Sequence, residues 1–261
     1  MIDFAKRDIH GVILDMDGVL WRDSETIGDL SKVFAGLASL GLKVVLATNN
    51  ATRSVDQYIE KFAGFGVALE PWQITTSGMA VVYYLNAHYP KGTAVHVVGA
   101  QSLIDAIQEA GYPQTDENVK VVVAGVDREI TYQKIGKAAT WIRKGAEFIG
   151  TNPDKTFPTP HGLAPGAGAI IAAIATAAEQ EPQFVGKPGK VLIDLSLERL
   201  ALPPRQALMV GDRLETDILA AQNSGCQSAL VLSGVTTLEQ AQSWKPAPDF
   251  IARDLSELIG I

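Results

Sequence analysis

The 261-residue chain has a single cysteine, Cys226, so it can form no internal disulfide and no cysteine-built metal centre. Its four histidines, at positions 10, 88, 96 and 161, are too scattered to point to one shared metal site. Basic residues are the minority charge. With 22 Lys+Arg against 29 Asp+Glu the formal net charge is −7, which argues against a nucleic-acid partner, because phosphate backbones select a basic stripe. No apolar run reaches the roughly 18 residues that a bilayer span needs, so no membrane partner is expected. Residues 1–10 mix charged and apolar side chains without the apolar stretch of a secretory signal, and a cytoplasmic location is the expectation. There is no low-complexity segment and no fixed-period repeat. What remains, at 47% hydrophobic residues, is a folded protein whose length suits one large domain or two modest ones.

Short apolar runs mark its skeleton. Gly11-Val-Ile-Leu-Asp15, Lys43-Val-Val-Leu-Ala-Thr48 and Ala207-Leu-Met-Val-Gly-Asp212 are each continuous and end in a polar residue. Ser228-Ala-Leu-Val-Leu-Ser233 repeats the pattern more weakly, and a helical stretch over about 27–40, closed by Gly41, separates the first two. Continuous apolar runs alternating with helices predict an α/β fold with a mainly parallel sheet buried on both faces. Ligands of such open sheets sit beyond the carboxyl ends of the strands, so Asp15, Thr48 and Asp212 are expected to gather at one edge.

Between Thr48 and Gly186 lies far more chain than the roughly 30 residues of one crossover unit. That stretch carries its own strand candidates over 94–98, 119–125 and 147–152, and helix candidates over 79–88, 102–110, 132–144 and 167–179. A smaller α/β domain over 78–183, inserted into a first domain made of 1–77 and 184–261, is the expectation. The crossings are placed at Thr75-Thr-Ser-Gly78 and Glu179-Gln-Glu-Pro182, which are polar and hold helix breakers.

Asp15-Met-Asp-Gly-Val-Leu20 is the sharpest motif. A carboxylate leaving a buried strand needs a cation or hydrogen-bond donors. Two carboxylates two residues apart on extended chain face the same side, which suits one as nucleophile or metal ligand and the other as acid/base. The plainer reading is an Asx-type turn in which both cap backbone amides. Asp212 and Asp217, in Val210-Gly-Asp-Arg-Leu-Glu-Thr-Asp217, form a second acidic cluster that alone reads as a strand–loop–helix connection. With Asp15 and Asp17 they would put up to four carboxylates at one edge, which a divalent cation must neutralise, and an all-oxygen set points to Mg²⁺. Thr48-Asn-Asn50 offers hydroxyl, amide and backbone donors to a phosphate, or a simple helix cap. Lys187, in Gly186-Lys-Pro188, is by itself an ordinary surface lysine and in this company a counter-charge for an anionic substrate. Trp21 either lines a leaving-group pocket or packs beneath the inserted domain. His161 reads as an exposed loop residue and Cys226 as a small buried filler. Gly166-Ala-Gly168 lacks the third glycine of a dinucleotide fingerprint and reads as a helix start close to a loop.

In order and placement these motifs resemble the haloacid dehalogenase (HAD) superfamily of phosphohydrolases. Asp15-Met-Asp-Gly-Val-Leu20 is similar to its first motif, Thr48 to its second, Lys187 to its third, and Gly211-Asp212 to Asp217 to its fourth. The insertion resembles the C2-type cap of the NagD and p-nitrophenylphosphatase-like branch. Thr48-Asn-Asn50, Gly150-Thr-Asn-Pro-Asp154 and Pro165-Gly-Ala-Gly168 are similar to signatures of that branch. The resemblance implies a Rossmann-like three-layer sandwich plus the α/β cap. It implies that Asp15 attacks phosphorus to form an aspartyl-phosphate and that Asp17 protonates the leaving group, then activates water. Thr48, Asn49, Asn50 and Lys187 would grip the phosphoryl oxygens. Mg²⁺ would be held by the Asp15 side chain, the Asp17 backbone carbonyl and Asp212, with Asp217 acting through water or through contacts to the ligands. The implied activity is hydrolysis of small phosphomonoesters of the p-nitrophenyl phosphate, nucleotide, sugar phosphate or phosphoglycolate type, since a cap would exclude macromolecules. A small phosphorylated metabolite is thus the expected partner, and the cap offers a surface for a homodimer. The alternatives are a non-catalytic phosphometabolite-binding protein, a phosphomutase, or a dehalogenase, which would need neither Asp17 nor a metal.

Overall fold

The computed structural model describes residues 2–22, 25–159 and 162–261, which leaves His161 outside the described residues. The chain divides into two compact units. One comprises Met1–Thr48, Val55–Thr75 and Lys187–Ile261, the other Asn49–Ser54 and Thr76–Gly186.

The first unit is built on a six-stranded sheet. Its order is Phe250–Ala252, Gln227–Val231, Ala207–Gly211, Gly11–Leu14, Lys43–Thr48, Ile74–Thr76. The pairings from Phe250–Ala252 across to Lys43–Thr48 are parallel. Gly11–Leu14 is central, with Val12 beside Val44 and Leu208. All four of its residues are buried, as a strand covered on both faces requires. Side chains alternate between the faces. Val12, Leu14, Val44, Leu46, Leu208 and Val210 join the helices Leu30–Ser39, Val55–Gly64 and Leu255–Ile259 in one cluster. On the other side Leu230 packs with Leu214, Ile218 and Ala241. A sheet between two helical layers is the expected three-layer sandwich. The helix read over 27–40 starts only at Leu30, because Asp29 caps it by accepting from Lys32 N at 3.2 Å.

The second unit holds a four-stranded parallel sheet in the order Gln183–Phe184, Glu147–Gly150, Val121–Ala124, Val95–Val98. The helices Tyr132–Arg143 and Ala167–Ala178 cover it through a cluster that includes Val122, Phe148, Ile142 and Ile174. The unit ends later than the expected 183. Gln183–Phe184 is a strand paired with Glu147–Gly150, so the chain stays with this sheet until Gly186. Residues 49–54 also belong here, against the expectation. Ser77 Oγ donates to Asn49 O at 2.5 Å and Ser102 Oγ to Ala51 O at 2.8 Å, which tie that segment to this unit. Among the described residues no helix is long and apolar enough to cross a membrane.

Candidate active site

The sheet order sets the ends of Ala207–Gly211, Gly11–Leu14 and Lys43–Thr48 side by side, and Asp15 N continues the ladder by donating to Val210 O at 2.9 Å. At that edge Lys187 is buried at 2% exposure. Its Nζ lies 2.6 Å from Asp15 Oδ1 and 2.7 Å from Asp217 Oδ1, and it donates to Ala47 O at 2.9 Å. Asp15, Asp212 and Asp217 each offer a carboxylate oxygen within 4.8 Å of the others, the one such acidic group among the described residues. Four residues drawn from three distant stretches of chain therefore meet here.

Each carboxylate is aimed by its own turn. Asp217 lies within a π-turn over Leu214–Ile218 that leads into the helix Leu219–Ser224, and its Oδ2 accepts from the backbone of Asp212 at 3.2 Å and Arg213 at 3.1 Å. Asp212 Oδ2 accepts from Val235 N at 2.8 Å. Room for these carboxylates is made by glycines. A Cβ on Gly234 would come within 2.0 Å of Asp212 Oδ2, and one on Gly211 within 2.1 Å of Asp217 Cβ. Gly234 and Val235 escaped the sequence reading, although a Ser-Gly-Val turn just past the Gln227–Val231 strand was a usable signal.

Burial governs the electrostatics. It raises Asp15 well above the usual carboxylate range, opposed by Lys187 and aided by Asp217 and Asp212. Asp212 is pushed up to about 7 by burial and by Asp217. For Lys187 burial works against the charge, but Asp15 and Asp217 outweigh it and hold the ammonium above its ordinary value. Three buried carboxylates against one ammonium leave a negative excess, and Asp212 Oδ1 is buried with no hydrogen-bond partner. An all-oxygen set with an orphaned carboxylate oxygen fits a hard divalent cation.

Asp17 is exposed, and its Oδ1 accepts from Trp21 Nε1 at 2.8 Å. Thr48 is buried at the end of its strand, next to Ala47. Asn49 and Asn50 lie in the second unit, where Asn49 Nδ2 donates to Asp154 Oδ2 at 3.0 Å and Asn50 Oδ1 accepts from Thr52 N at 2.8 Å. Asn50 thus closes a local turn, whereas the Asn49 amide bonds across the second unit to a residue distant in the chain.

Residues 12–113 match the family described as haloacid dehalogenase-like hydrolase, and residues 184–258 match a HAD-hydrolase-like family. An acid sugar phosphatase of Staphylococcus aureus is 35% identical over 248 residues, which are 95% of each chain. The solved structure of NagD from E. coli K-12 superposes with a TM-score of 0.89 at 34% identity, covering 95% of this chain and 98% of that one. A 4-nitrophenylphosphatase from Thermotoga maritima gives 0.90 at 31% identity, with 98% of each chain covered. The chain belongs to the haloacid dehalogenase-like hydrolases. Within that family it falls in the branch of NagD and the p-nitrophenylphosphatases, as its motifs implied, and it is an enzyme. All four motifs on which the resemblance rested fall in the matched regions: Asp15, Asp17 and Thr48 within 12–113, and Lys187, Asp212 and Asp217 within 184–258.

Proposed function

We propose that this HAD-like hydrolase is a Mg²⁺-dependent phosphatase of small phosphomonoesters that works through an aspartyl-phosphate on Asp15. The observation that carries the reading is the meeting of Asp15, Lys187, Asp212 and Asp217 at one sheet edge, with Asp212 Oδ1 lacking a partner. The relatives named by activity, an acid sugar phosphatase and a 4-nitrophenylphosphatase, support phosphate monoesters as the substrate class. The cation would be held by the side chains of Asp15 and Asp212 and by the Asp17 backbone carbonyl. When bound, Mg²⁺ offsets the carboxylate charge and stabilises the negative phosphoryl group.

The remaining chemistry belongs to the chain. Lys187, held charged by its two carboxylates, fixes Asp15 Oδ1 and meets the incoming phosphoryl oxygens. A carboxylate oxygen of Asp15 attacks phosphorus, and the bond to the leaving oxygen breaks as Asp17 gives that oxygen a proton. Asp17, now a carboxylate, takes a proton from water, whose oxygen attacks phosphorus and frees Asp15 and inorganic phosphate. Asp217 acts by anchoring Lys187 and the backbone of Asp212. Thr48 serves the phosphoryl oxygens from the end of its strand.

Phosphate release from p-nitrophenyl phosphate and from sugar phosphates tests this. The expected result is turnover with Mg²⁺, none in EDTA, and none in Asp15→Asn, which keeps a folded thermal transition. Turnover that survives Asp15→Asn would remove the nucleophile and with it the reading.

A further inference from the structure

The indole of Trp21 is buried at 2% exposure, yet its N–H reaches the exposed carboxylate of Asp17. A tight turn makes this contact. Leu20 N donates to Met16 O and Gly18 N to Trp21 O, each at 2.8 Å, and Gly18 takes φ +82, which brings residues 17 and 21 into a bridge. The ring cannot drift. Phe62 meets it edge-on at 5.1 Å, and Lys61 Nζ stands 3.5 Å from its centroid. A cation on the ring face draws π-density toward itself and makes the indole N–H a better donor.

An exposed carboxyl group otherwise turns about two side-chain torsions, and a proton transferred in a transition state needs a fixed direction. The indole nitrogen adds a second constraint because it donates and never accepts. The carbonyl oxygen of a carboxyl group accepts better than its hydroxyl oxygen, so a bond from this donor to Oδ1 favours a proton of Asp17 on Oδ2. We propose that Trp21 is the positioning residue of the general acid: it ties Asp17 Oδ1 and leaves Oδ2 as the oxygen that hands its proton to the leaving group. The inference rests on the reading of Asp17 as the acid. In that step the Asp15 O–P bond forms, the bond from phosphorus to the leaving oxygen breaks, and the Oδ2 proton moves to that oxygen.

The test is the dependence of kcat/KM on the leaving group, which reports on the first phosphoryl transfer. p-Nitrophenolate departs without a proton, whereas an alkoxide needs one. Trp21→Phe should lower kcat/KM for an alkyl phosphate about tenfold more than for p-nitrophenyl phosphate, a modest share of what general acids contribute. In an Asp17→Asn background the same substitution should add nothing to that ratio. Replacing Trp21 by benzothienylalanine, which keeps the ring and removes the N–H, repeats the measurement should Trp21→Phe not fold. An equal loss on both esters sinks the role of Trp21 and leaves the phosphatase standing. A wild-type enzyme inactive on every ester sinks both.

Discussion

One ammonium group holds two carboxylates at this site, and the arithmetic of burial decides what that is worth. Lys187 sits 2.6 Å from Asp15 and 2.7 Å from Asp217 with almost no access to water. Bringing such ions out of water costs several kcal/mol each, so the arrangement is sensitive to losing a partner rather than strongly stabilising as a whole. Removing the lysine would strand Asp15 and Asp217 beside Asp212. We therefore expect Lys187→Met to lower the unfolding free energy in EDTA by about 3–5 kcal/mol, read from urea denaturation. Adding Mg²⁺ should recover part of that loss, because a divalent cation supplies the missing positive charge, while phosphate release stays abolished. A urea midpoint in EDTA equal to that of the wild type would mean that the carboxylates had taken up protons at no cost.

Glycines at two helices make opposite demands on their elements. Gly168, in the first turn of Ala167–Ala178, donates to Asp154 O at 2.9 Å, and a Cβ there would come within 2.2 Å of Pro153 O. Backbone cannot step aside as a side-chain tip can, so Gly168→Ala should cost about 1–3 kcal/mol. Gly136, within Tyr132–Arg143, has open space around its Cβ position, and Gly136→Ala should stabilise by about 0.5–1 kcal/mol through the unfolded chain. Opposite shifts in urea midpoint are the expected result, and equal signs would refute the packing account of Gly168. The same close approach is the physical reason for the glycine in Gly166-Ala-Gly168, which reads as a helix start close to a loop. The strands were legible because a strand covered on both faces must be a continuous apolar run, as in Gly11–Leu14 and Ala207–Gly211. Gln183–Phe184 escaped notice because two residues carry no periodicity, and with it went the true end of the second unit. The acidic residues could be named from their strand ends. The bond from Trp21 to Asp17 and the donor at Val235 could not, since each depends on a turn closing in space.

Over the whole molecule the two units carry buried titrating groups of opposite sense. In the first, Asp212 is raised from 3.8 to about 7 by burial and Asp217, and Asp15 is raised as well. A carboxyl group that binds its proton more tightly when folded contributes stability that is present below 3.8 and is lost as pH rises through about 7. In the second unit His96 is buried in the Val95–Val98 strand. Its Nδ1 lies 3.1 Å from Asp116 Oδ1, and Lys137 Nζ lies 2.5 Å from Asp116 Oδ2. Burial lowers the imidazole from 6.5, Asp116 resists, and Lys137 adds to the lowering. Here the unfolded chain binds the proton more tightly, so stability is present above 6.5 and is lost as pH falls toward the lowered folded value. In EDTA, then, acid should tighten the first unit and loosen the second. Amide exchange at about pH 7.5 and about pH 5, corrected for intrinsic rates, reads the two separately, because local opening reports local stability. Peptides over 207–218 should gain protection at the lower pH, and peptides over 95–98 and 121–124 should lose it. His96→Gln should remove the second change and leave the first. Loss of protection over 95–98 that persists in His96→Gln would transfer the acid response to some other group of that unit.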